Sequence, residues 1–300
     1  MSNTFKNRVY GCAIIKSINS SYNADFSHQP RTLPNGVVYA TDKALKWAVR
    51  NYWKKVLNEN VFYSKSLDDN MSPRSLDETF ENNFGKDTFN EKDKNKLRLG
   101  VLRNILSCID VRVFGGTYAG KTNISLHGTC QISHGVNRFA ENVIYSEQIM
   151  SPFRNGDDAT MTTLGSQSKL AEGHYVHHFS VNPKNIEADV ERVKADGLSD
   201  ADIVKLKEGL CKGVSYYDSA AKIGTDNECL VWVQLKDESK TILPSFVELV
   251  KVNDKKEIDL SGIATVLEKH KAEIETIEVY YDKTNTKVIG LPNGAKELDM

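Results

Sequence analysis

The chain has 300 residues, of which 40% are hydrophobic and 26% charged, enough for one large domain or two small ones. Its formal net charge is −1, so the whole molecule carries no excess for nucleic acid, yet the ends differ. Residues 1–60 hold nine Lys/Arg against three Asp/Glu, whereas residues 181–300 hold seventeen against twenty-three, so an anionic partner is expected on the N-terminal part.

The five cysteines, Cys12, Cys108, Cys130, Cys211 and Cys229, form no CxxC pair and read as buried, reduced thiols of a cytoplasmic protein. No signal peptide is visible, and no apolar run approaches the roughly 18 residues of a membrane span. No metal or cofactor is expected.

In chain order, Val9 to Ile15 is an apolar run that suits a central strand covered on both faces. A polar loop from Ser17 to about Thr41 follows, long enough to be functional. Thr41 or Asp42 then caps a helix, KALKWAVRNYWKKVL. Leu45, Ala48, Val49, Tyr52, Trp53 and Val56 form its buried stripe. Lys43, Lys46, Trp47, Arg50 and Lys54 share the other side, and no acid interrupts them between Lys43 and Leu57. Like charges at this spacing repel mildly, and a phosphate backbone would remove the repulsion.

Residues 61–96 are polar and mixed in charge, with the composition of disorder near Asp68 to Arg74. Helical rhythm returns from Lys96 to Ile109. Asp110 to Ile132 alternates with period two in both halves, so two strands are expected, joined by the turn residues Gly120, Lys121 and Asn123. Gly115, Gly120, Lys121 and Thr122 also satisfy the phosphate-cradling pattern G-x-x-x-x-G-K-[ST]. That mechanism needs a helix starting at the Lys, whereas NISLHGTCQIS alternates as a strand.

From Ser133 to His178 regularity weakens, with Met150, Phe153, Met161 and Leu164 scattered among polar residues, until Tyr175 to Ser180 alternates as a strand. Ser199, with Asp202 three residues on, opens a capped helix. CLVWVQL (Cys229 to Leu235) is a further strand, and the tail adds a helical run, Leu260 to Lys271. The strands IEVYYD and KVIGLP read as a hairpin around Lys283 to Thr286. The order strand, helix, strand, strand, helix, strand is that of the ferredoxin-like, RRM-like α+β fold, although no aromatic RNP signature is visible.

Several blocks resemble one family, the crRNA-binding backbone subunit of type I CRISPR Cascade complexes, most like subtype I-B. They are the first strand, QPR…NG…ATD, KALKWAVRNY, DVRVFGG, NISLHGTCQIS with its following GVNR, and TLGSQSKLAEGHYVHHF, spanning about the first 180 residues. A Gly/Pro-rich Asn-Pro-Asn-Gly-Asp-Pro loop frequent in the family is NSSYNAD here (Asn19 to Asp25). The resemblance implies a ferredoxin-like palm with a helical insertion at 61–108, a thumb-like β-hairpin at 139–175 and a C-terminal addition at 241–300. It implies no catalysis. Copies would line up head-to-tail on one crRNA, beside other Cascade subunits, and a target DNA strand would pair with the guide. The RNA-binding residues implied or nominated are Lys16, Arg31, Lys43, Lys46, Arg50, Arg112, Lys121, His134, Arg138 and Lys169. Met150, Phe153 and Met161 would be wedges between bases.

Two other readings stay open. A ribonuclease would draw on His127, His134, His174, His177 and His178, or on Asp157 and Asp158 with a metal. A P-loop NTPase would depend on Lys121.

Overall fold

The structure, a computed structural model, describes residues 4–154 and 162–300. It is a mixed α/β protein. The chain opens with β1 (Val9–Ser20), and after a long loop come β2 (Tyr39–Ala40) and α1 (Asp42–Lys55). Then follow α2 (Leu76–Phe84), α3 (Lys94–Leu106), α4 (Ile109–Phe114), β3 (Gly115–Ala119) and β4 (Asn123–His127). β5 (Cys130–Asn137), β6 (Ile144–Arg154) and β7 (Thr162–Val181) lead to α5 (Glu187–Val193), α6 (Asp200–Lys212) and β8 (Thr225–Leu235). The tail adds β9 (Lys251–Val252), β10 (Ile258–Asp259), α7 (Ser261–Lys269), β11 (Ile274–Tyr280), β12 (Val288–Ile289) and β13 (Lys296–Leu298).

The main sheet has eight strands in the order β13-β11-β8-β1-β7-β5-β2, with β6 paired to β7. β1 sits at its centre, antiparallel to both β7 and β8, and β5 is antiparallel to β7. Alternation along β1 sorts side chains to two cores. Val9, Ala13 and Ile15 join the stripe of α1 (Leu45, Val49, Trp53) and that of α6 (Ile203, Leu206, Leu210). Tyr10, Cys12 and Ile14 face the other way, onto Leu243, Phe246, Val250, Ile263 and Leu267. Both faces of the sheet are therefore covered, the second by the C-terminal segment. A third core joins Phe62, Phe80, Val101, Leu102 and Ile105 to Tyr118, Ile124 and Leu126 of the β3–β4 hairpin.

Four expectations are corrected. Asp110 to Phe114 is helix α4, not a strand; Gly115, at φ +67, ends it. A Cβ there would lie 2.2 Å from the Leu126 carbonyl oxygen, so only glycine turns this corner. The strand of this region begins at Gly115. Residues 68–74 are not disordered but form a closed loop, bridged between Leu67 and Pro73. The stretch before Tyr175, read from its patterning as irregular, pairs β6 antiparallel to β7, in line with the hairpin that the resemblance implies, with regular pairing from Ile144–Leu170 to Met150–Leu164. In the tail, β11 and β12 do not pair with each other. β11 lies between β8 and β13, and β12 runs parallel to β10. The turn around Lys283 to Thr286 therefore carries the chain between sheets.

Candidate nucleic-acid interface

The basic side of α1 is the first feature to locate. Three of its cations meet acids that lie outside the run Lys43 to Leu57. Asp42 stands at the helix start, where its carboxylate accepts from Lys43 Nζ (2.6 Å) and pairs with Lys46 Nζ (3.1 Å). Burial works against the charge on Asp42, but the hydrogen bonds from the two lysines outweigh it and hold the carboxyl below its usual range. Lys46 is only 7% exposed, and its ammonium lies 5.7 Å from the centre of the Phe114 ring. Arg50 Nε donates to Asp110 Oδ2 (3.0 Å), and its guanidinium sits over Phe114 and Tyr63. Asp110 is fully buried and also accepts from the backbone N–H of Phe62 (2.8 Å) and Tyr63 (3.0 Å). The expectation of a bare, self-repelling basic face is corrected: Asp42 at the helix start and the distant Asp110 neutralise its inner members. Lys43 keeps its side chain 77% exposed.

His134 joins this group from β5. Its ring lies 3.9 Å from Asp42 and is tilted against Tyr39 at 5.4 Å between centroids. Arg31 arrives from the long loop, where its carbonyl accepts from the Tyr39 N–H (2.9 Å). Its Nε is buried with no hydrogen-bond partner among the described residues. Lys43, Lys46, Arg50 and His134 thus lie around α1, connected through Asp42 and Phe114, and the backbone of Arg31 runs beside Tyr39, whose ring meets His134.

The other nominated cations lie elsewhere. Arg112 is two residues from Asp110 on α4, about 200° around the helix. Its guanidinium holds Asp202 of α6 through Nε (3.1 Å) and Nη2 (2.7 Å), and Nη1 donates to the carbonyls of Leu106 and Ser107. It fastens α4 to α6 and does not join the α1 group. Lys16 points to the face under the C-terminal segment, 3.9 Å from Glu228, which in turn meets His174 at 2.6 Å. Arg138 pairs with Glu248 (3.0 Å) and donates to the Val250 carbonyl, again on the C-terminal side. Lys169 pairs with Glu147 across the β6–β7 hairpin (2.9 Å).

Lys121 caps the turn of the β3–β4 hairpin, 4.0 Å from the Phe89 ring centre and 3.3 Å from Glu81. A strand follows it, not a helix, and the N–H groups at the turn are already taken, Gly120 donating to the Thr122 carbonyl (3.2 Å) and Lys121 to Asp77 Oδ1 (3.1 Å). The strand expected after Lys121 is present, and the P-loop alternative lacks the helix it requires.

Met150 is 68% exposed on β6, Phe153 is a β6 residue, and Met161 lies outside the described residues, as do Asp157 and Asp158.

The histidines do not converge. His177 faces α1, its ring over Gly135, with Nδ1 on the Ser133 carbonyl (3.0 Å) and Nε2 on the Tyr22 hydroxyl (3.2 Å). His178 faces the C-terminal segment and takes the Phe246 N–H on Nδ1 (3.3 Å). Burial pushes both down to about 4, against the opposing pull of their backbone hydrogen bonds. Held toward the neutral form, with His177 buried and His178 half-buried on opposite faces, they are not placed to exchange protons with one substrate. Among the described residues no group of three or more His, Cys, Asp or Glu is arranged to hold a metal, and no helix is long and apolar enough to cross a membrane.

Comparison with known proteins decides the family. Residues 7–277 match the family described as CRISPR-associated protein Cas7. The chain belongs to that family. No curated protein matches the sequence. Two solved structures are similar in fold. One, "CRISPR RNA-guided surveillance complex, pre-nicking", is 13% identical with a TM-score of 0.60, covering 98% of this chain and 96% of its own. The other, "CRISPR RNA-guided surveillance complex", is 14% identical with a TM-score of 0.55, covering 96% and 94%. Sequence reasoning had no access to Asp110 and Asp202 as partners of Arg50 and Arg112, because they lie 60 and 90 residues from those cations. The only local signal was Asp42 itself, four residues before Lys46.

Proposed function

We propose that this Cas7-family chain is a non-catalytic backbone subunit that binds crRNA without reading its sequence, in a type I complex most like subtype I-B. Copies line up head-to-tail along the guide, beside the other Cascade subunits, and leave base edges open for a target DNA strand. The central strands β1, β5, β7 and β8, with α1 and α6, correspond in order and direction to a ferredoxin-like palm. In this reading the β6–β7 hairpin is the thumb and carries the wedges Met150 and Phe153. Residues 61–108 are the helical insertion and 241–300 the C-terminal addition.

The observation that carries the proposal is the gathering of Lys43, Lys46, Arg50 and His134 around α1, on the side away from the acidic C-terminal segment. Lys46 and Arg50 are neutralised by Asp42 and Asp110, which fixes the helix face in one shape before any phosphate arrives and leaves Lys43, its side chain 77% exposed, as the cation of this group open to it. That pre-ordering lowers the entropic cost of gripping a flexible strand. Contacts to phosphate and ribose carry no sequence information, which suits a coat that must accept any guide. Heterologous contacts that do not close produce a filament on such a strand.

The test is the nucleic acid that copurifies with the full chain. A ladder of bound RNA lengths without sequence preference supports the reading. A single defined RNA sequence, or none, ends it. Incubation with labelled crRNA and a complementary RNA, with and without magnesium, checks for cleavage: product formation overturns the non-catalytic part.

A further inference from the structure

Two loops of this chain are built to one plan. Asp25-Phe-Ser-His-Gln-Pro30-Arg31 and Asp68-Asp-Asn-Met-Ser-Pro73-Arg74 share only Asp, Pro and Arg at fixed spacing. Asp25 Oδ1 accepts from the N–H of Ser27 (2.9 Å) and Gln29 (3.0 Å), and Asp68 Oδ1 accepts from Asn70 (3.0 Å) and Ser72 (2.7 Å). The backbone repeats as well. Asp25 N–H donates to the Gln29 carbonyl (2.8 Å) and Asp68 N–H to the Ser72 carbonyl (2.9 Å). The fourth residue of each loop is left-handed, His28 at φ 63 and Met71 at φ 61. Each loop is closed by a bridge to its proline, Ala24–Pro30 and Leu67–Pro73.

Each loop also holds one apolar side chain in solvent. Phe26 is 98% exposed and Met71 is 77% exposed. The loops stand at opposite ends of α1. Asn23, just before the first, accepts on Oδ1 from Thr41 N–H and Oγ1 (both 3.0 Å) at the start of the helix. Ser64, just before the second, accepts from Lys54 Nζ (2.6 Å) at its end. Between them the 14 residues of α1 span about 21 Å. That stretch carries Lys43, Lys46, Arg50 and Lys54, while Arg31 and Arg74 follow the two prolines.

We propose that the Asp25 and Asp68 loops are a matched pair of brackets that offer Phe26 and Met71 as stacking surfaces for bases of single-stranded RNA lying along α1. This rests on the reading of the chain as an RNA-binding subunit and adds where a strand would enter and leave one subunit. A strip of cations with separated apolar side chains is the pattern by which single strands are held without base-edge readout. The tips are single residues separated by a basic helix, not a contiguous apolar patch. A protein partner would need such a patch at the centre of its interface. The Asp clamps hold each loop in one shape, so little order has to be created when a base arrives.

The experiment assembles the full chain on a guide RNA carrying 4-thiouridine, photo-crosslinks it and maps the crosslinked residues. Crosslinks at Phe26 and Met71 are expected. Phe26→Ala and Met71→Ala should each weaken RNA affinity about tenfold while leaving the slope of affinity against salt unchanged, since no phosphate contact is lost. Phe26→Tyr should restore binding, and Asp25→Ala should reproduce part of the loss. Both tips are solvent-exposed, so an unchanged melting temperature is expected and separates binding from folding. The proposal is overturned if Phe26→Ala and Met71→Ala bind as the parent does while Lys43→Ala is weakened. It is equally overturned if the two variants lose only self-association measured without RNA, which would make the loops contacts to another copy. If the parent chain itself binds no RNA, the functional reading fails first.

Discussion

The two faces of the main sheet come from the same strands yet hold their cations differently. On the α1 face, Lys46 and Arg50 are paired to Asp42 and Asp110, but Lys43 keeps its side chain 77% in solvent, with His134 close to the same Asp42. On the opposite face, Lys16 and Arg138 are paired to Glu228 and Glu248 beside a covering segment that seats Leu243, Phe246 and Val250 on the strands. An RNA-recognition sheet exposes aromatics on its open face. Among the described residues both faces of the central strands are covered, which moves the candidate interface to the helix beside them. A cation's place in the sequence therefore says less than the acid it meets after folding.

The comparison is broken most severely at Asp110. Asp110→Ala would leave the Arg50 guanidinium and two backbone N–H groups without their acceptor, at a cost of about 3–5 kcal/mol. Urea unfolding checks this, and a loss below 1 kcal/mol would mean that Arg50 is not held by this carboxylate. Arg112→Ala should fall near the same range, because Asp202 would remain buried without its bidentate partner. It should weaken RNA only through destabilisation, with the salt slope preserved.

A pH series sharpens the contrast from within the sheet. Burial depresses His177 from its ordinary value of 6.5 to about 4. Its neutral form belongs to the fold, so its contribution is complete above pH 6.5 and disappears as pH falls to 4. The loss amounts to about 3 kcal/mol over that window. His178, depressed to about 4 by burial on the other face, adds loss in the same direction. Urea midpoints at pH 7.5 and 4.5 measure the fall, and His177→Gln should flatten it. An unchanged slope would mean that His177 is not buried as described.

The smallest stability effect is expected at Lys43. Lys43→Ala should alter stability by less than about 0.5 kcal/mol, since its partner Asp42 keeps Lys46. The same change should weaken every guide alike and reduce the salt slope by about one. A stability loss with no change in RNA binding would reverse the assignment of Lys43 and Arg112.

Patterning by itself determined much of the secondary structure. The apolar run of β1, the stripe of α1, the Ser199–Asp202 capping box and the strand CLVWVQL stand where their periodicity put them, except that Val56, expected in the stripe, lies past the end of α1 and is 39% exposed. These are signals between residues one to four apart, which a linear reading sees. The blocks that resemble the family were likewise legible in order, and the family match agrees with them. Three matters depended on folding. The six residues of α4 are too few to establish a helical period against the alternation of Val111, Val113 and Gly115, and only the Gly115–Gly128 approach explains where that helix ends. The long β7 carries polar residues on both sides of its hairpin half, so its sequence lacks the apolar rhythm of a covered strand. The availability of Lys16, Arg50, Arg112 and Arg138 was decided by carboxylates brought from distant positions, because Coulomb attraction acts through space and not along the chain.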